Sequence, residues 1–139
     1  MNKHAPIHAP VLDHDAMMFK RFGTKVSVQG KLERRIVANL IAHLQANNFR
    51  VCSVYDGEEI EKISPNGVEG MRAAMEIIFN LDEAAIQFIH NDAARITDWH
   101  DVSLVLGNGI DIISDWNFFN DDRDGFEAVM DAFDAEEYA

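Results

Sequence analysis

The chain has a single cysteine, Cys52, among 139 residues. One thiol excludes an internal disulfide and fits a reducing compartment. No apolar run approaches the roughly 20 residues that a membrane helix needs. The opening stretch, MNKHAPIHAPVLDHD, holds no continuous apolar core of signal-peptide type, so a cytoplasmic location is expected. The recurrent catalytic signatures are missing too: no GxGxxG, no Walker loop, no HExxH, no GxSxG and no CxxC. Ser27, Ser53, Ser64, Ser103 and Ser114 stand in no recognisable nucleophile context. Cys52 has no adjacent basic or histidine side chain to lower its pKa, which favours an inert thiol. No cofactor is expected, and the residues favour a protein that is not an enzyme.

Basic charge is also scarce. Lys and Arg number 12 against 24 Asp and Glu, a formal net charge of −12. The imbalance is uneven along the chain. Residues 1–35 hold seven basic and three acidic side chains, whereas residues 36–139 hold five basic and 21 acidic, a net −16. Such a field disfavours direct binding to nucleic acid or to an anionic membrane, and favours a basic protein partner. The plainer alternative is an acidic surface that only confers solubility. No feature specifies an oligomeric state.

What is present is patterned. A hydrophobic fraction of 47% over this length predicts one domain, able to bury roughly two thirds of its unfolded surface. Residues 1–30, punctuated by Pro6, Pro10, Gly23 and Gly30, read as an arm, with one short strand allowed over Thr24–Gln29. Its histidines (His4, His8, His14) are spaced for neither one helix face nor a compact zinc motif. From residue 31 the chain reads as one α+β domain, 31–139. Leu32, Ile36, Val37, Leu40, Ile41 and Leu44 form a helical stripe over Lys31–Asn48, with Glu33, Arg34 and Arg35 off it. Asn47-Asn48 supplies the stop, since Asn tolerates the left-handed conformation.

A strand follows over Phe49–Tyr55, then an acidic connection over Gly57–Pro65. Asn66 and Glu69 resemble a capping box opening a helix with Val68, Met71, Met75, Ile78 and Phe79 along one side. Three apolar runs, Ala84–His90, Val102–Leu106 and Ile110–Trp116, predict an antiparallel meander. The last two are joined by Gly107-Asn108-Gly109, suited to a tight hairpin turn. Asp124-Gly125 opens a final helix with Phe126, Val129, Met130 and Phe133 inward, ahead of an acidic tail bearing Asp134, Glu136 and Glu137. The order α-β-α-β-β-β-α predicts a four-stranded, largely antiparallel sheet with helices mainly on one face. The passage through the second helix also allows a parallel crossover.

Three constellations carry potential chemistry. Asn120, Asp122 and Asp124, with Gly125 and Asp131, occupy positions of an EF-hand-like calcium loop. Glu127 stands where an apolar residue is usual, so helix capping by Asp124 is favoured over calcium. His90, Asp92, Asp98, His100 and Asp101 surround the first meander loop and are a weaker candidate for a metal or an acid/base pair. Trp116, Phe118 and Phe119 precede Asp121 and Asp122 and divide between core and binding anchor.

The segments GNGIDIISDW (107–116), ERRIVANLIAHL (33–44) and VYDGEE (54–59) resemble small proteins carried by phages, plasmids and integrated elements, over roughly residues 31–120. The resemblance implies a mobile-element origin and a bacterial host, and it brings no functional residues. With the charge, it leads to an expected activity: a non-catalytic acidic protein that binds and inhibits a basic, nucleic-acid-handling partner, like DNA mimics and anti-CRISPR proteins. Glu58, Glu59, Glu61, Trp116, Phe118, Phe119, Asp121, Asp122, Asp131 and Asp134 are its candidate contacts. The alternatives are an immunity protein against a cognate toxin and a small metal-dependent enzyme using His90 and His100.

Overall fold

A computed structural model of the chain describes residues 28–93, 98–118 and 124–138. The elements run α1 (Val28–Ala46), β1 (Phe49–Tyr55), β2 (Ile60–Lys62), α2 (Gly67–Ile78), β3 (Glu83–His90), β4 (Trp99–Val105), a 3-10 turn (Gly109–Asp111), β5 (Ile113–Asn117), α3 (Phe126–Asp131) and a second 3-10 turn (Ala135–Tyr138). This is an α+β fold. Of the segment 1–30, residues 1–27 lie outside the described residues; Val28 and Gln29, the end of the Thr24–Gln29 stretch that allows a short strand, are helical.

Among the described residues the sheet has five strands rather than four, in the order β2-β1-β3-β4-β5, and every pairing is antiparallel. The additional strand is β2, inside the stretch read as an acidic connection. Its three residues are all exposed and include one apolar side chain, so no periodicity marks it. Backbone bonding makes it a strand: Asp56 N donates to Glu59 O (3.1 Å) and Ile63 N to Cys52 O (2.9 Å). It also removes the parallel crossover that the sequence allowed. With β2 reversing the chain before α2, β3 returns antiparallel to β1 and runs the same way as β2.

Phe49, Val51, Val54, Ile86, Phe88, Val102 and Leu104 line one face of the sheet and share a core with α1 and α2. A bulge between Val51 and Ser53 shifts the phase of β1, so that Val54 returns to this face and Ser53 points to the other. Asn66 Oδ1 accepts the Gly67 N–H (2.8 Å), in keeping with its expected capping role. Gly70 sits within α2 because a Cβ there would lie 2.4 Å from the Pro65 carbonyl oxygen. At the end of α1, Asn48 takes φ 72°, the left-handed conformation expected of it.

α1 is buried on nearly all sides. Its apolar stripe faces the sheet and α2, while α3 and the second 3-10 turn pack across other positions. Glu33 and Arg34, expected off the stripe, are therefore buried, and only Arg35 of the three is exposed. The acidic C-terminus is docked rather than a tail. Tyr138 is buried and stacked on Phe133 (5.4 Å between centroids), and Arg35 Nε donates to its carbonyl. Asp134, Glu136 and Glu137 still face solvent.

The Gly-Asn-Gly link is not a tight hairpin. Gly107 and Gly109 do take positive φ (100° and 61°), but Ile110 and Ile112 lie in the turn region and not in a strand. Ile112 is fully buried. A turn that plugs the core carries the same apolar residues as a strand, which is why the apolar run begins at Ile110 although the strand begins at Ile113.

Candidate functional site

Pairing of β3 with β4 sets Phe88 opposite His100, and His90 lies two residues beyond Phe88 on the same face. The two histidines do share one end of the sheet. Phe49 meets both rings edge-on, with centroids 5.0 Å from His90 and 5.9 Å from His100. Their surroundings differ. His90 belongs to a surface knot: its Nδ1 accepts the Asp92 N–H (3.1 Å), and its Nε2 lies 3.3 Å from Asn48 Nδ2. Asn48 also holds Asn91 and the Asp92 carboxylate.

His100 is 2% exposed and lies flat against Phe126, 4.4 Å between centroids and 12° between planes. Its Nε2 is 2.9 Å from Asp124 Oδ2. A carboxylate only accepts, so Nε2 carries the proton. Nδ1 of His100 and Oδ1 of Asp124 are buried without a hydrogen-bond partner. The arrangement orients an imidazole, as in acid/base dyads, but it buries the second nitrogen without a partner, in a ring packed against Phe126 and Phe49. What it does chemically is fasten the start of α3 to β4.

This corrects the expected capping role of Asp124. The N-cap of α3 is Gly125 at φ 78°, with no side-chain cap. It also breaks the calcium set, because Asp124 is committed to His100 while Asp131 is exposed at the end of α3. Asn120, Asp121 and Asp122 lie outside the described residues. The His90/His100/Asp101 grouping fails for a geometric reason. Consecutive strand residues point to opposite faces, so Asp101 stands across the sheet from His100. Among the described residues, no three His, Cys, Asp or Glu side chains converge as metal ligands do.

Asp101 instead belongs to a polar chain on the opposite face that the sequence did not announce. Ser53 Oγ donates to Gln87 Oε1, and Gln87 stands opposite Asp101 in the β3–β4 pairing; Asp101 Oδ1 is buried without a hydrogen-bond partner. Cys52, the residue at the bulge, places Sγ 3.4 Å from Gln87 O. Burial pushes the Cys52 thiol up, in keeping with an inert sulfur. Burial also raises the Asp101 carboxyl, against the lowering effects of Gln87 and His100. A raised carboxyl costs folding free energy once ionised. The cost is absent in acid and appears as pH rises from about 4 through the raised value. Asp101→Asn is expected to raise the melting temperature at pH 7 and to leave it unchanged near pH 3. An unchanged melting temperature at pH 7 would contradict this.

The partner-contact candidates divide. Trp116 packs against the core from β5, and Phe118 is exposed. Phe119 lies outside the described residues. Asp131 and Asp134 are exposed but separated in sequence from Glu58, Glu59 and Glu61, which cluster on the β1–β2 hairpin. All three glutamates are exposed, and none makes an ion pair with a described residue. Tyr55 and Ile60 face each other across this hairpin at 38% and 54% exposure. Asp56 Oδ1 accepts the Glu58 and Glu59 N–H groups (2.8 Å each), which lowers its pKa and pins the turn. Sequence reading found the acids but missed the apolar pair, because the strand carrying Ile60 was invisible. No helix of the described residues is long and apolar enough to cross a membrane. Comparison with protein-family models, curated proteins and solved structures finds no match, so the α+β architecture and its own surface are the grounds for a functional reading.

Proposed function

We propose that the chain is a non-catalytic acidic interaction protein of a bacterial mobile element, which binds and inhibits a basic, nucleic-acid-handling protein in the cytoplasm. The observation that carries the reading is the β1–β2 hairpin. There Glu58, Glu59 and Glu61, which make no ion pair with a described residue, stand on the hairpin that exposes the Tyr55–Ile60 pair, in a region of the chain with net charge −16. Unpaired carboxylates steer a basic partner, and an exposed aromatic–aliphatic pair gives it something to bury. The imidazole of His100 is enclosed and engaged with Asp124, which favours binding over chemistry.

The test is capture by the immobilised chain from a nuclease-treated bacterial lysate, followed by a DNA-binding assay on whatever is recovered. Basic nucleic-acid-binding proteins are expected at low salt and are expected to be lost as salt rises, because exposed charges are screened. The recovered protein should release duplex DNA when the chain is added. Recovery of no basic protein at low salt would overturn the reading.

A further inference from the structure

The two backbone hydrogen bonds that flank β2 decide which of its groups are free. Asp56 N bonds Glu59 O, and Ile63 N bonds Cys52 O, so the pairs 56/59 and 52/63 are of the hydrogen-bonded type. In an antiparallel ladder the two types alternate. Val54 and Glu61 are therefore a hydrogen-bonded pair, and Tyr55–Ile60 and Ser53–Lys62 are not. The N–H and C=O groups of Ile60 and Lys62 consequently point away from β1, toward the outer edge of the sheet, where no strand of the described residues pairs with β2. Side chains alternate as well: Ile60 and Lys62 stand on one face and Glu61 on the other.

We infer that this edge of β2 receives an extended segment of the partner as a sixth strand, and that the segment alternates apolar and basic residues. The inference rests on the acidic-interaction reading and specifies its docking mode. Main-chain bonds to Ile60 and Lys62 supply affinity, as in strand addition generally. An apolar side chain packs over Ile60 and Tyr55, and a basic one lies opposite Glu61, within the field of Glu58 and Glu59. The rigid turn built on Asp56 keeps the edge formed before the partner arrives. A second copy of this chain is a poor occupant, because pairing β2 with itself would bring like carboxylates together. The other outer strand, β5, offers Asp115 alone and no clustered glutamates.

The experiment titrates the full chain with capped hexapeptides of alternating valine and lysine, of alternating valine and glutamate, and of three valines followed by three lysines, following backbone amide shifts. The alternating valine–lysine peptide is expected to bind, to weaken with salt and to shift the amides of β2. Ile60→Pro removes an outward N–H while leaving the bonds to β1 in place, and should weaken binding at least tenfold with the melting transition retained. Glu61→Lys, which leaves the backbone untouched, should do likewise. Unaltered binding by a folded Ile60→Pro protein, or equal binding of the block peptide, would overturn strand addition while leaving the acidic-interaction reading standing. Equal binding of the glutamate peptide would overturn the charge assignment, and no binding of any peptide would overturn the docking mode. Self-association that Ile60→Pro abolishes would show a second copy to be the occupant. The lysate capture decides the broader reading separately.

Discussion

Replacing Glu33 with alanine is expected to cost about 3 kcal/mol of stability, the larger of the two strongest effects foreseen for single substitutions here. Glu33 is 4% exposed, and a buried carboxylate survives only where donors replace water. Its Oε2 accepts the Gly107 and Gly109 N–H groups at 2.8 Å each, and Oε1 lies 3.1 Å from Gly107 N. The positive φ of the two glycines turns both N–H groups toward one point, an anion nest made by the loop and filled by α1. Alanine removes the charge-assisted bonds and strands the buried Gly109 N–H. It also frees the turn that holds Ile112 in the core. Glu33→Gln keeps an acceptor oxygen and should lose about half as much. Urea denaturation measures both losses, and amide exchange at Gly107 and Gly109 reports the site directly. An alanine variant within about 0.5 kcal/mol of the parent would show that the clasp contributes little.

Asp124→Ala is expected to cost about 2 kcal/mol, whether or not calcium is present. The loss comes from His100. With Asp124 gone, a 2% exposed imidazole keeps its Nε2 proton without an acceptor, between Phe126 and Phe49. The start of α3 loses its tie to β4 at the same time. Removing one member of a buried pair costs more than removing both, so a His100→Phe, Asp124→Ala double variant should recover part of the loss. A double-mutant cycle in urea checks this. Additive losses would show that the two side chains are not coupled. A rise in melting temperature on adding calcium, present in the parent and absent in Asp124→Ala, would restore the calcium loop that the geometry sets aside.

The difference between these two sites shows what kind of information the sequence held. The Gly-Asn-Gly link was legible as a place needing positive φ, because that requirement is local to the backbone. That its N–H groups would close on Glu33, 74 residues earlier, was not legible, since the spacing of α1 assigns Glu33 to a solvent-facing side. Only the docking of the 109–111 turn, α3 and the C-terminal turn around α1 makes that side an interior. Asp124 gives the converse case. Its position before a helix reads as a cap, and in the structure the same carboxylate turns to a histidine 24 residues back in the chain.

By itself, the sequence determined the α+β class, strand β1 to the residue, helix α2 with its Asn66 cap, the meander and the excess of acid. Each follows from periods of two or 3.6 residues, from backbone preferences of Asn and Gly, or from a count of charges, all of which act over a few residues or none. The tertiary structure alone decided the fifth strand, the wholly antiparallel order, the burial of Glu33 and Arg34, the pairing of His100 with Asp124 and the separation of Asp101 from both histidines. Those depend on which backbone edges meet and on which side of the sheet a residue falls. A three-residue strand such as β2 has too few side chains to encode either, and is specified by the hydrogen bonds that β1 offers it.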